Sequence, residues 1–225
     1  VVTAELEDDY HRMVVSLEHR AGIVTNVDSE MKRSPWTLCP GAMPQLAETF
    51  KGLALATFDS RGGKRQNCTH LFDLALFAAA HADEPAPMTY DIRVTDPVEG
   101  SRTATLSRNG VPTLDWTLRG DQFLAPVELA GARLGELNGW LAAQDKAGAE
   151  AGRILRWAAM IAFGRGMDMP AGMPATRFPG GACYNFQPEQ AKNSTRRPGA
   201  DIDFSQPGAA PLADMAYMFE ICRAI

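Results

Sequence analysis

The chain has 225 residues, 45% of them hydrophobic and 22% charged, with a formal charge of −5. That length supports one substantial core, and the composition excludes a disordered or fibrous chain. The acidic balance argues against nucleic acid and anionic lipid as partners, and no apolar run reaches the roughly 18 residues that a bilayer span needs.

The opening stretch, "VVTAELEDD", has neither a basic n-region nor an apolar h-region, so a cytoplasmic location is the expectation. Four cysteines, Cys39, Cys68, Cys183 and Cys222, are too few and too widely spaced for a disulfide framework and are expected as reduced thiols. The basic cluster "KNSTRRPG" reads as a solvated loop.

In chain order, "EDDYHRM" is a polar segment leading into the first strand. Val-rich alternation on either side of Ala21-Gly22 predicts an antiparallel hairpin, Arg12 to Glu18 and Ile23 to Lys32. In "PWTLCPGAMPQLAETFKG" the period turns helical, with Met43, Leu46, Ala47 and Phe50 on one face and Gly52 ending the helix. A second helix, capped by Asn67 or Thr69, is predicted through "THLFDLALFAAAHA" to about Ala82, where "DEPAP" stops it.

Three β-like runs, "MTYDIRVTD", "RTATLSRNG" and "VPTLDWTLRG", predict a meander turning at Asn109-Gly110. Two helices follow, one with Leu134, Leu137 and Leu141 on its face, the other with Leu155, Ala158 and Ala162. From Met167 the chain is rich in Pro and Gly yet holds seven Met, Phe and Tyr side chains by Phe204, too much apolar material for a linker. "LADMAYMFEICRAI" reads as a closing amphipathic helix. The expected architecture is α+β: an antiparallel sheet of hairpin plus meander packed with helices in one core over 1–166, and an irregular extension over 167–225 that wraps the protomer, covers a cleft or pairs a homodimer.

The chemistry concentrates in the second helix. Steps of three, four and seven put His70, Asp73, Phe77 and His81 on one stripe of an otherwise apolar helix. Such polar groups need partners, either each other in a plain core pair or a pocket in which a histidine serves as acid or base. Cys39, at the start of the first helix, is placed for a lowered thiol pKa, and Cys68 lies two residues before His70. A Cys39/His70 nucleophilic pair and a Cys/His metal site both stay open, beside buried thiols of no catalytic role. No G-x-G-x-x-G, Walker or G-x-S-x-G motif occurs, so a nucleotide cofactor and a serine-hydrolase elbow have no support.

"DDYH", "RSPWTLCPGAMPQL" and "NCTHLFDLALFAAAH", in that order, resemble a bacterial family labelled as a domain of unknown function. Its members carry D-D-[FY]-H, P-W-x-x-C-P-G-A and C-T-H-L-F-D-L. The resemblance covers roughly the first 165 residues, and the tail is particular to this branch. It implies kinship with cofactor-independent lyases of lignin-dimer catabolism that release formaldehyde from phenylcoumarans. On that resemblance the motif positions include Asp9, Tyr10, His11, Trp36, Cys39, Pro40, Cys68, His70 and Asp73. The roles their chemistry allows are His70 as base, oriented by Asp73, with Tyr10 or His11 as acid. Trp36, Tyr184 and Phe186 would stack on the substrate's rings, Cys39 and Cys68 would lie beside it, and Arg65 or Arg177 would hold a carboxylate. No metal and no cofactor is called for. The alternatives are an accessory protein binding metal through Cys and His, and a Cys39-dependent transferase or hydrolase.

Overall fold

The structure, a computed structural model, describes residues 1–215. The chain is α+β, as expected, but its strands form two antiparallel sheets and divide it into two compact units, Val1–Pro87 with Met169–Ile225, and Met88–Asp168. Among the described residues the hairpin and the meander lie in separate sheets, each packed with its own helices.

In the first unit, β1 (Val2–Glu7), β2 (Arg12–Arg20) and β3 (Ile23–Arg33) lie in that order. Met13, Val15 and Leu17 alternate inward on β2 and are fully buried. A bulge at Glu18/His19 shifts the register by one, so Val24 and Val27, three apart on β3, both face the core. Helix α1 (Ala42–Phe50) packs on β3, and α2 (Thr69–Ala80) on β1 and β2. Between them Phe50 stacks on Phe58 and tilts against Phe72, at centroid distances of 4.4 and 4.9 Å. The predicted caps of α2 do not form: its N-cap is Cys68, while Asn67 turns its amide to the Gly63 carbonyl and accepts from Thr49 Oγ1.

The C-terminal segment returns to this unit and packs on its own chain. Thr37 and Arg197 donate backbone N–H groups to Thr195 and Pro35, and residues 194–196 exchange further backbone bonds with residues 172–175. Met173, Ala175 and Ala191 bury Trp36 and Cys39, with Phe178 and Phe186 alongside. Gly41 leaves room for the Tyr184 ring: a Cβ there would meet the Tyr184 hydroxyl at 2.7 Å. The expected closing helix lies, from residue 216 on, outside the described residues, as does Cys222.

The second unit is the predicted meander, β4 (Tyr90–Val94), β5 (Ser101–Arg108) and β6 (Val111–Arg119), extended by a fourth strand, β7 (Gln122–Ala125). Asn109 and Gly110 both take positive φ at the β5–β6 turn, as an Asn-Gly hairpin requires. Helices α3 (Asn138–Ala142) and α4 (Lys146–Ile161) follow, with α4 against β4, β5 and β6. Leu134, Leu137 and Leu141 are buried as predicted; on α4 the buried face is Ala151, Ile154, Leu155 and Ala159, since Ala158 is only partly covered. Among the described residues, no helix is long and apolar enough to cross a membrane.

Candidate functional site

Residues 8–11 connect β1 to β2, and the turn is locked from within. Asp8 Oδ1 accepts the backbone N–H of Tyr10 at 2.7 Å and of His11 at 2.8 Å, and the Asp8 amide donates to the His11 carbonyl. Arg33, at the end of β3, clamps the turn from outside: its guanidinium donates to the carbonyls of Asp8 at 2.7 Å and Asp9 at 2.8 Å, and pairs with Glu7 at 3.0 Å. The backbone of the D-D-Y-H motif is therefore held from within by Asp8 and from outside by Arg33 of β3.

That turn sets the His11 ring against the start of α2. His11 and His70 stack face to face, with centroids 3.8 Å apart and planes 30° apart, and each is only 8% exposed. His11 Nδ1 lies 3.0 and 3.2 Å from the two Asp8 oxygens. Burial pushes Asp8 up, but His11's charge and hydrogen bond, the charge of His70 and the Tyr10 amide outweigh it and hold the carboxyl far below the usual range. An ionised Asp8 only accepts, so His11 Nδ1 carries the proton and Nε2 is the nitrogen left for exchange. Burial, and then the charge of His11, push His70 well below 6.5, with Asp8 opposing. His70 is therefore a neutral imidazole near neutral pH. Asp8, His11 and His70 each offer a ligand atom within 4.8 Å of the others'.

The structure brings His70 and His11 together and adds the Asp8 carboxylate to them; Asp73, one turn along α2, also holds Lys64 Nζ at 2.6 and 2.7 Å. Tyr10 stands edge-on to His11 at 6.2 Å. His81 is the C-cap of α2, about 16 Å from His70 by helical rise, and approaches Glu84.

Cys39 is not activated: a 3-10 turn, Cys39–Gly41, precedes α1, and burial pushes the thiol up to about 12 against the weaker Trp36 hydrogen bond and nearby arginines. Burial likewise raises Cys68, whose Sγ sits 4.0 Å from Met13 Sδ, and Cys183. Trp36 meets Phe178 and Phe186 edge to face at 5.6 and 5.4 Å, so these rings bind the tail to the core; Tyr184 fills the space over Gly41. Arg65 and Arg177 are both exposed. Among the described residues the buried arginine is Arg196, from the cluster read as a solvated loop; its guanidinium lies over the Tyr10 and Trp36 rings at 5.3 and 5.8 Å.

Asp8 and Arg196 are the residues that sequence reasoning undervalued. Asp8 had a usable signal, because an aspartate followed two and three residues later by amides it can cap is an Asx-type turn. Arg196 had none, since its burial depends on a pairing with residues some 160 positions away. Compared with protein-family models, with curated proteins and with solved structures, the chain matches none of them.

Proposed function

We propose that the chain is a lyase that works by proton transfer at the Asp8–His11–His70 cluster. The observation that carries this reading is the stacked histidine pair with the Asp8 carboxylate against His11 Nδ1. Two imidazoles face to face resist carrying two charges, and environments that push paired groups apart separate a base from an acid. His70, neutral, is the base; His11, with Asp8 placed to stabilise a proton arriving on its ring, is the acid, in preference to Tyr10.

The motif resemblance supplies the substrate class, a phenylcoumaran-type aromatic dimer bearing a hydroxymethyl group. His70 takes the proton of the primary alcohol, the carbon–carbon bond to that carbon breaks, and formaldehyde leaves. The electron pair forms the stilbene double bond and expels the neighbouring aryl ether oxygen, and His11 protonates the phenoxide. One proton moves from alcohol to phenol, and nothing is oxidised or reduced, so the chemistry calls for no cofactor. The test is formaldehyde release from such a dimer: His70→Ala is expected to reduce it by about a hundred-fold or more with the fold retained. Undiminished release would remove His70 as the base.

A second reading is favoured by one observation, the convergence of two imidazoles and a carboxylate within 4.8 Å. A two-histidine, one-carboxylate set suits a divalent transition metal. Metal analysis of the purified protein separates the two: a stoichiometric metal whose chelation abolishes turnover would replace the acid–base reading.

A further inference from the structure

Arg196 is a buried cation that the proposed mechanism does not use. Its residue is 3% exposed, whereas arginine is almost never so fully covered unless paired. Among the described residues, the hydrogen-bonded partner of its guanidinium is the Asp201 carboxylate. The two members of that ion pair differ in kind. Arg196 is planted: its amide donates to the Met173 carbonyl and its carbonyl accepts from Gly172, both at 2.9 Å, and it bridges to Trp36. Asp201 sits in an irregular stretch and its side chain is 56% exposed, so the carboxylate reaches the cation from the solvent side.

The surroundings of the guanidinium are aromatic. It lies 5.3 Å from the Tyr10 ring centroid and 5.8 Å from that of Trp36, and the same Tyr10 ring stands edge-on to His11. A planar cation with five donors, gripped by two rings and met by a single carboxylate, has donors to spare for a second anionic group or for an exchange of the first. The neighbouring rings favour a carboxylate carried on an aromatic frame.

We infer that Arg196, between Tyr10 and Trp36, anchors the carboxylate of an aromatic ligand, with Asp201 holding the place of that carboxylate when the ligand is absent. Arg65 and Arg177, the arginines first considered for a carboxylate, are both exposed, whereas Arg196 is buried. The inference rests on the proposed reading for the identity of the ligand as substrate, but not for the binding itself.

The experiment measures binding by calorimetry and thermal shift with biphenyl-4-carboxylate and its neutral amide, on the whole chain. The wild-type protein is expected to bind the acid in preference to the amide. Asp201→Asn removes the competing carboxylate, lowers the melting temperature, and is expected to bind the acid about tenfold or more tightly than wild type, which restores the lost melting temperature. Arg196→Gln is expected to lose the preference, and Arg196→Lys to keep part of it. Equal affinity for acid and amide in folded Asp201→Asn protein would overturn the inference, as would a preference that survives in Arg196→Gln; should that variant not fold, the Asp201→Asn result decides alone. Formaldehyde assays on the same samples separate the two claims. A carboxylate preference without formaldehyde release counts against the lyase, and release without the preference counts against the anchor.

Discussion

Asp8 makes the histidine pair asymmetric, and its effect is separable from its structural role. Asn at position 8 keeps an oxygen for the Tyr10 and His11 amides but is uncharged and replaces the second oxygen facing His11 Nδ1 with N–H groups, so the charge that would stabilise a protonated His11 ring is lost. Asp8→Asn is therefore expected to fold normally and to lose turnover on the order of a thousand-fold or more, by analogy with the orienting carboxylate of other His-dependent sites. Circular dichroism with a single-turnover assay checks both halves. Cys39 gives the opposite expectation: its protonated, buried thiol should resist iodoacetamide in the folded protein, and Cys39→Ala should retain turnover.

His70 also links the site to stability. Burial and the charge of His11 hold it well below the ordinary 6.5, so the unfolded chain takes up a proton that the folded chain refuses. In chelator-treated protein the stabilisation is full above about pH 6.5 and is lost as the pH falls through the window below that value. Denaturant midpoints across pH 7.5 to 5 check this, and His70→Asn should flatten the decline. A midpoint that rises as the pH drops would contradict the account of His70.

At the scale of elements, the sequence revealed most where one local signal decided the outcome. The β2 alternation, the Asn109-Gly110 turn, the face of α1 and the span of α2 were all legible because each depends on neighbours within a dozen residues. β1 was missed although Val2, Ala4 and Leu6 alternate with Thr3, Glu5 and Glu7; in the structure those two carboxylates are taken up by Arg12, Lys32 and Arg33. β7, four residues long, is too short to show a period. The junction of the Cys39–Gly41 turn and α1 offers a direct check. Gly41→Ala pushes a methyl into the Tyr184 ring and is expected to cost about 1–3 kcal/mol by overpacking, read from urea denaturation, with a smaller loss when Tyr184 is also shortened to Leu.

On the scale of the whole molecule, the candidate site joins chain positions that no local pattern connects. The turn at 8–11, the end of β3, the start of α2 and the segment around Arg196 meet only in the folded first unit. The sequence therefore singled out His70 and His11, which the fold stacks together, and proposed Asp73 beside His70 from helical spacing, the one geometry it offered; the Asp8 carboxylate next to both rings emerges only from the fold. It also left open where the C-terminal segment goes, which the pairing of residues 195–197 with 35–37 answers for the described residues. Truncation after Asp168 removes Met173, Ala175 and Ala191 from around Trp36. The truncated chain is expected to melt at lower temperature, with tryptophan emission shifted to the red; unchanged emission would show that the segment does not cover Trp36.

The central claim is that the histidine pair, made unequal by Asp8, moves a proton. It is tested most directly by single-turnover formaldehyde release from a phenylcoumaran dimer by wild-type, His70→Ala and Asp8→Asn proteins of verified fold and metal content. The account predicts release by metal-free wild type and a loss of about a hundred-fold or more in each variant. No release by folded wild-type protein from either enantiomer, or release that both variants leave intact, would contradict it.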